Sequence, residues 1–178
     1  MNPRLIFVTG GARSGKSQFA QDLAHSQKGS TVFIATAEAR DDEMRKRIAS
    51  HRRARPSGWD TVEEPRHLGQ AVQECAGAYD ILLIDCLTLW ISNLLTNNPL
   101  PETEIEREIQ SLVNSCKTES STVIIVSNEV GMGIVPVDSL TRLYRDIVGR
   151  ANQDIASEAD EVYLVVSGIP VQIKGKTG

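Results

Sequence analysis

Eight consecutive residues carry the clearest chemistry in this sequence. Gly10-Gly11-Ala12-Arg13-Ser14-Gly15-Lys16-Ser17 fits the pattern G-x-x-x-x-G-K-[ST] at every defined position. Glycines let a backbone wrap around a phosphate, so that several N–H groups point inward at the start of a helix. In such a loop Lys16 reaches the β- and γ-phosphates, and the Ser17 hydroxyl holds Mg²⁺. The surroundings agree with the pattern. Leu5–Thr9 is an apolar run that reads as a strand, and Ser17 opens a segment with Phe19, Ala20 and Leu23 at helical spacing. The chemistry this implies is work on the phosphates of a purine nucleoside triphosphate.

A second set of residues is consistent with that chemistry without requiring it. Asp85 ends the run Ile81-Leu82-Leu83-Ile84, where a phosphate-loop protein places an acid. It could serve Mg²⁺, hydrogen-bond the nucleoside, or cap the following helix. Between Arg40 and Arg55 the chain carries Arg40, Arg45, Lys46, Arg47, Arg52, Arg53 and Arg55, with His51 among them. Asp41, Asp42 and Glu43 balance this charge, as on a solvated helix face. Arginines around one histidine would equally suit a triphosphate whose α-phosphorus lies within reach of a neutral imidazole, a competent nucleophile toward phosphorus. The residues alone leave both readings open. His25, late in the first helical segment, and His67, at the start of a later one, have no evident partners. Glu129, in Asn128-Glu129-Val130-Gly131-Met132-Gly133, follows a strand on the side where doubly wound sheets bind ligands. It is a candidate general base, or else a loop acid that accepts from backbone N–H groups.

These residues need a frame to hold them. Candidate strands are Leu5–Thr9, Thr31–Thr36, Ile81–Asp85, Thr122–Ser127, Val162–Val166 and Val171–Ile173. The middle runs are continuously apolar, which suits strands covered on both faces of a parallel sheet. Helical patterns fall at Ser17–Ser26, Asp41–Arg53, Leu68–Ala76, Glu102–Lys117 and Ser139–Ala156, and Thr96 to Glu102 reads as an exposed turn. This alternation predicts one α/β domain over residues 1–178, a doubly wound and mostly parallel sheet. Only the last strands, joined through Ser167-Gly168-Ile169-Pro170, suggest an antiparallel edge. A frayed tail is expected from Lys174 to Gly178.

Composition narrows the partners. The chain has 178 residues, 40 % of them hydrophobic and only 4 % aromatic, so the core must be built mainly from Ile, Leu, Val and Ala. Its net charge of −4 argues against a general electrostatic grip on nucleic acid. Cys75, Cys86 and Cys116 are odd in number and widely spaced, which argues against a disulfide framework or a zinc site. Cys86 and Cys116 are expected to be small buried residues. Short apolar runs predict neither a signal peptide nor a membrane span, and so a soluble, cytoplasmic protein.

Several motifs together resemble one family. They are Gly-Gly-Ala-Arg-Ser-Gly-Lys-Ser (10–17), Ile-Ala-Thr (34–36), Asp-Asp-Glu-Met (41–44) and His-Arg-Arg-Ala-Arg-Pro (51–56). Further on come Asp-Cys-Leu-Thr-Leu-Trp (85–90), Ser-Asn-Glu-Val-Gly-Met-Gly-Ile-Val-Pro (127–136) and Arg-Asp-Ile-Val-Gly-Arg-Ala-Asn-Gln (145–153). The chain resembles the bifunctional adenosylcobinamide kinase / adenosylcobinamide-phosphate guanylyltransferases of cobalamin biosynthesis, from Leu5 to about Lys174. The resemblance implies a P-loop NTPase domain like that of RecA, a homotrimer, and two reactions using GTP, with ATP a further possible phosphoryl donor. One phosphorylates the aminopropanol hydroxyl of the corrinoid. In the other a histidine, here His51, takes GMP from GTP and passes it to the phosphorylated corrinoid. It further implies nucleotide contacts from Gly10, Gly11, Ala12, Arg13, Ser14, Gly15, Lys16 and Ser17, from Ile34, Ala35 and Thr36, and from Arg52, Arg53, Ala54 and Arg55. Glu63 and Asp85 are assigned to the nucleoside, which for Asp85 conflicts with the Mg²⁺ role. A plain P-loop kinase without a covalent histidine is the alternative. A GTPase switch is disfavoured because no Asn-Lys-x-Asp motif is present.

Overall fold

The computed structural model describes residues 3–39, 41–96, 98–118 and 120–175, and the side chains of Arg47, His51, Ala54 and Thr118 fall outside the described set. Among the described residues thirteen elements follow one another: β1 (Leu5–Gly10), α1 (Lys16–Ser26), β2 (Thr31–Ala35), α2 (Asp42–Ala54), β3 (Asp60–Glu63), α3 (Leu68–Cys75) and β4 (Ile81–Asp85), then α4 (Leu87–Thr96), α5 (Glu102–Thr118), β5 (Thr122–Asn128), α6 (Ser139–Glu158), β6 (Glu161–Val166) and β7 (Ile169–Lys174). The seven strands form one sheet in the order β3-β2-β4-β5-β1-β6-β7. Six are parallel, and β7 pairs antiparallel with β6 at one edge. The parallel sheet with one antiparallel edge is therefore as expected from the sequence.

Strand residues alternate between two buried faces, as a period of two requires. Leu5, Phe7, Val32, Ile34, Leu82, Ile84, Val123 and Ile125 meet α3 to α6, with Trp90, Leu94, Leu112 and Val148 filling that layer. Ile6, Val8, Phe33, Leu83, Ile124 and Val126 face the other way, onto Ala20 and Ala24 of α1. Burial on both sides explains why these strands read as unbroken apolar runs. All three cysteines are buried and none is in a disulfide. No described helix is long and apolar enough to cross a membrane.

Helix starts are locally encoded. Asp41 caps α2 by accepting from Met44 N at 2.7 Å, and Asp138 caps α6 by accepting from Thr141 N at 2.9 Å. Three differences from the sequence reading stand out. β3 is short and mostly exposed, so it lacks the apolar signature of a strand. α4 follows β4 after one residue, so its apolar residues merge with the strand's into one run. The tail is ordered further than expected: Lys174 belongs to β7, and its Nζ donates to the carbonyls of Ala156 (3.0 Å) and Ser157 (2.7 Å). Residues 176–178 lie outside the described set.

Candidate active site

The phosphate loop runs from Gly10, the last residue of β1, to Lys16, the first of α1. Two of its three glycines are closed in by contact, while a Cβ on Gly11 would meet nothing within 4 Å. A Cβ on Gly10 would stand 2.4 Å from the Val165 carbonyl oxygen, and Gly15, at φ +93°, would place one 3.2 Å from the Cα of Gly168. Gly168 sits in the two-residue turn between β6 and β7, where both residues have positive φ (Ser167 52°, Gly168 82°). Such a turn matches the twist of a hairpin. From there Gly168 N donates to Ser14 O at 2.8 Å, while Ser14 N donates to Gly11 O at 3.2 Å. The C-terminal hairpin thus braces the loop from outside the motif. The first turn of α1 contains no acid, so its positive end is unopposed for an anion. Lys16 is buried and donates to Gly11 O at 3.0 Å, which holds the ammonium across the loop.

Lys16 and Ser17 open onto a cleft at the carboxyl ends of the strands. Arg55, Glu63, Asp85 and Asn128 supply its other polar walls, while Phe33, Ala35, Met44, Ile48 and Leu89 supply apolar ones. The Arg55 guanidinium lies 3.7 Å over the Phe33 ring, and its Nη1 donates to Thr61 Oγ1 at 3.2 Å. Partial burial lowers the Arg55 pKa, neighbouring Arg52 adds to this, and Asp85 opposes it. Arginine nevertheless stays charged at neutral pH. Arg52 and Glu63 form an ion pair exposed on both sides.

Beneath the cleft the strand ends are locked by buried polar groups. Thr36 Oγ1 donates to Cys86 O (2.8 Å) and accepts from Cys86 N (2.9 Å). Thr88 Oγ1 contacts Cys86 Sγ at 3.1 Å and accepts from Asn128 Nδ2 at 2.8 Å. Burial pushes the Cys86 thiol up to about 11, with help from the Asp85 charge. Burial also lifts Tyr144, whose hydroxyl donates to Thr88 O at 3.3 Å, to about 12. Both groups are neutral at physiological pH, which suits structural roles.

The structure brings Lys16, Ser17, Ala35, Arg55, Glu63 and Asp85 to one cleft. Ser14 is buried in the loop, and its Oγ has no hydrogen bond within the protein. Gly11, Ala12 and Arg13 are exposed on the loop's outer rim. Ile34 is fully buried in the sheet, and Thr36 spends its hydroxyl on Cys86, so neither side chain faces the cleft. Arg52 and Arg53 line an adjoining groove with Arg45 and Glu38, which shares Ala37, Ile48 and Glu63 with the cleft. Glu129 accepts from the N–H groups of Gly131 (2.5 Å) and Met132 (3.1 Å), the loop-acid arrangement. His51 lies on α2, but its side chain, like that of Ala54, is outside the described set. Sequence reasoning missed Phe33, Met44, Ile48, Leu89 and Asn128. Met44 and Ile48, four residues apart in a helix rich in charged residues, were the available signal.

A glycine loop braced at the carboxyl edge of a parallel sheet, with a strand-end acid beside it, defines a P-loop nucleotide-binding α/β protein. The fold agrees: it matches the crystal structure of the RadB recombinase with a TM-score of 0.51 at 14 % identity, over 92 % of this chain and 74 % of that one. Residues 6–173 match the family model for cobinamide kinase / cobinamide phosphate guanyltransferase, and the chain belongs to that family of enzymes. It is 44 % identical to the bifunctional adenosylcobalamin biosynthesis protein CobU of Escherichia coli K12, over 96 % of this chain and 99 % of the relative. It is 45 % identical to the protein of the same name from Salmonella typhimurium LT2, over the same shares of each chain. Identity to the bifunctional adenosylcobalamin biosynthesis protein CobP of Pseudomonas aeruginosa is 43 %, over 95 % of this chain and 96 % of that protein.

Proposed function

We propose that this enzyme performs both reactions in its family's name from one nucleotide cleft, and that His51 is the residue guanylylated in the second. The observation that carries the reading is the position of α2. Its Met44 and Ile48 line the same cleft as Lys16 and Ser17. Position 51 is seven residues on from Met44 and three on from Ile48, so it falls in the helical register of that stripe.

In the kinase step the loop amides and Lys16 hold the triphosphate and neutralise charge as the γ-phosphoryl group moves to the aminopropanol hydroxyl of adenosylcobinamide. GTP or ATP would serve as donor. Glu129 is the proposed acceptor of the hydroxyl proton, which requires it to release the Gly131 and Met132 amides. In the second step a His51 ring nitrogen attacks the α-phosphorus of GTP. The bond to the β-phosphate breaks, pyrophosphate leaves on the loop, and a phosphoramidate forms. A phosphate oxygen of the phosphorylated corrinoid then attacks the same phosphorus and breaks its bond to nitrogen, which frees His51 and yields adenosylcobinamide-GDP. Arg55 on the cleft, joined by Arg52 and Arg53 when α2 shifts, would neutralise the nucleotide phosphates, and Glu63 and Asp85 would contact the nucleoside. For the one pose to serve both steps, α2 must shift relative to the loop.

The Ser17 hydroxyl, a hard oxygen donor on the cleft beside Lys16, fits Mg²⁺. Bound there, Mg²⁺ would supply charge neutralisation at the β- and γ-phosphates. A homotrimer is the proposed assembly. It is supported by the exposed apolar residues Met132, Ile134 and Val137 in the loop after β5, and by Ile169, Val171 and Ile173 on β7.

The test is to incubate the enzyme with α-³²P GTP and Mg²⁺, denature it and look for protein-bound label. Acid-labile, alkali-stable label on His51 supports the reading. Absence of label at saturating GTP leaves a P-loop kinase without a covalent histidine.

A further inference from the structure

The segment carrying α2 leaves the sheet after Thr36, returns to it at β3, and runs on through Pro65 toward α3. One side chain on α4 holds both roots. Asn93, only 4 % exposed, donates through Nδ2 to Thr36 O (2.8 Å) and to Pro65 O (3.2 Å). The backbone around it completes the anchor: Arg66 Nη1 donates to Asn93 O at 3.1 Å, and Trp90 Nε1 donates to Arg66 O at 2.7 Å. The sheet reaches the same points, since β2 pairs with β3, Glu64 N donates to Ala35 O (2.9 Å) and Thr36 N donates to Asp85 O (3.4 Å), and Asn93 adds the tie from the α4 side. A primary amide offers two hydrogens from one small nitrogen. A carboxylate offers none and a hydroxyl only one.

α2 itself has little else to fix it. None of its described side chains is buried, and none belongs to either apolar core. We infer that Asn93 is a positioning residue: by pinning Thr36 and Pro65 together it sets where α2 stands over the nucleotide cleft, and so governs guanylyl transfer more than phosphoryl transfer. The inference rests on the reading of α2 as the carrier of the guanylylated histidine. The phosphate loop has separate supports in Val165 and Gly168, which do not involve Asn93.

The experiment compares wild type with Asn93→Ala, which removes both donors, and Asn93→Ser, which keeps one and is the milder variant for folding. Trp90→Phe removes only the Arg66 bond. Three quantities are measured below the melting temperature: self-guanylylation from α-³²P GTP, phosphoryl transfer to adenosylcobinamide with kcat and KM separated, and backbone amide exchange. Guanylylation should fall about tenfold or more in Asn93→Ala, and less in Asn93→Ser and Trp90→Phe, as a misplaced reacting group requires. The kinase kcat and the nucleotide KM should stay within about threefold, and exchange should accelerate in residues 42–54 but not in 10–17. Parallel loss of both activities, or unchanged exchange in α2 of a folded Asn93→Ser or Asn93→Ala protein, would overturn the anchor. Selective loosening of α2 in an enzyme whose wild type takes no label would leave the anchor standing and sink the histidine reading instead.

Discussion

The two sides of the cleft are built by opposite means. On the phosphate-loop side the groups that face a ligand are backbone amides and one buried lysine, and their neighbours leave no room for change. Gly10 is closed in by the Val165 carbonyl and Gly15 by Gly168. On the α2 side long charged side chains stand on a helix with no described buried residue. Its ion pairs, Arg45–Asp42 and Arg52–Glu63, are exposed, and pairs of that kind contribute about 0–1 kcal/mol each. The contrast suggests a division of labour. A triphosphate must be gripped in one geometry for both reactions, so its cradle is fixed by packing. A nucleophile needed for only one of them can ride on an element that is tied at its roots and free along its length.

The comparison breaks most sharply at Lys16. Lys16→Ala should lower phosphoryl transfer and self-guanylylation together, each by roughly a hundred- to a thousandfold, since both reactions develop charge on the same phosphates. Retention of either activity in rapid-quench assays would show that the two reactions do not share a grip. The hairpin brace gives a finer cut. Gly168 and Gly77 have nearly the same φ (+82° and +79°), and a Cβ on either meets nothing within 4 Å. Each alanine variant should therefore carry the same left-handed cost of about 1–2 kcal/mol. Only Gly168→Ala should also raise the triphosphate KM, by about fivefold for each kcal/mol lost from the loop. Equal KM values in the two variants would remove the hairpin from the phosphate site. The smallest stability effect is expected at Arg52. Arg52→Ala breaks a pair whose side chains are 54 % and 55 % exposed, so thermal unfolding should move by less than about 1 kcal/mol while guanylylation weakens. A large stability loss would mean that α2 is held by its charges after all.

How much of this could be read from the sequence follows the same divide. Residues 10–17 are contiguous, and the backbone geometry they encode is local, so the loop and its flanking strand and helix were plain. The parallel sheet was legible because its strands are covered on both faces. β3 was not: its residues Asp60–Glu63 are mostly exposed, and pairing with β2 alone makes them a strand. α4 was hidden by its continuity with β4, although Leu87, Trp90, Ile91 and Leu94 have helical spacing. The roles of Asn93, Thr36 and Gly168 depend on hydrogen bonds spanning 28, 50 and 154 positions of the chain, and no local pattern announces those. The same holds for Ile34, which sits in a motif of the family yet is consumed by the core.

The central claim is that one phosphate grip serves two reactions and that α2 supplies the second with its nucleophile. The most direct measurement uses a single preparation of His51→Ala, assayed for phosphoryl transfer from γ-³²P nucleotide to adenosylcobinamide and for protein labelling from α-³²P GTP. The account predicts kinase turnover within about threefold of wild type, because the proposed phosphoryl transfer gives His51 no part, and no protein-bound guanylyl label. Label that persists in His51→Ala, or a kinase activity lost together with it, would contradict the account.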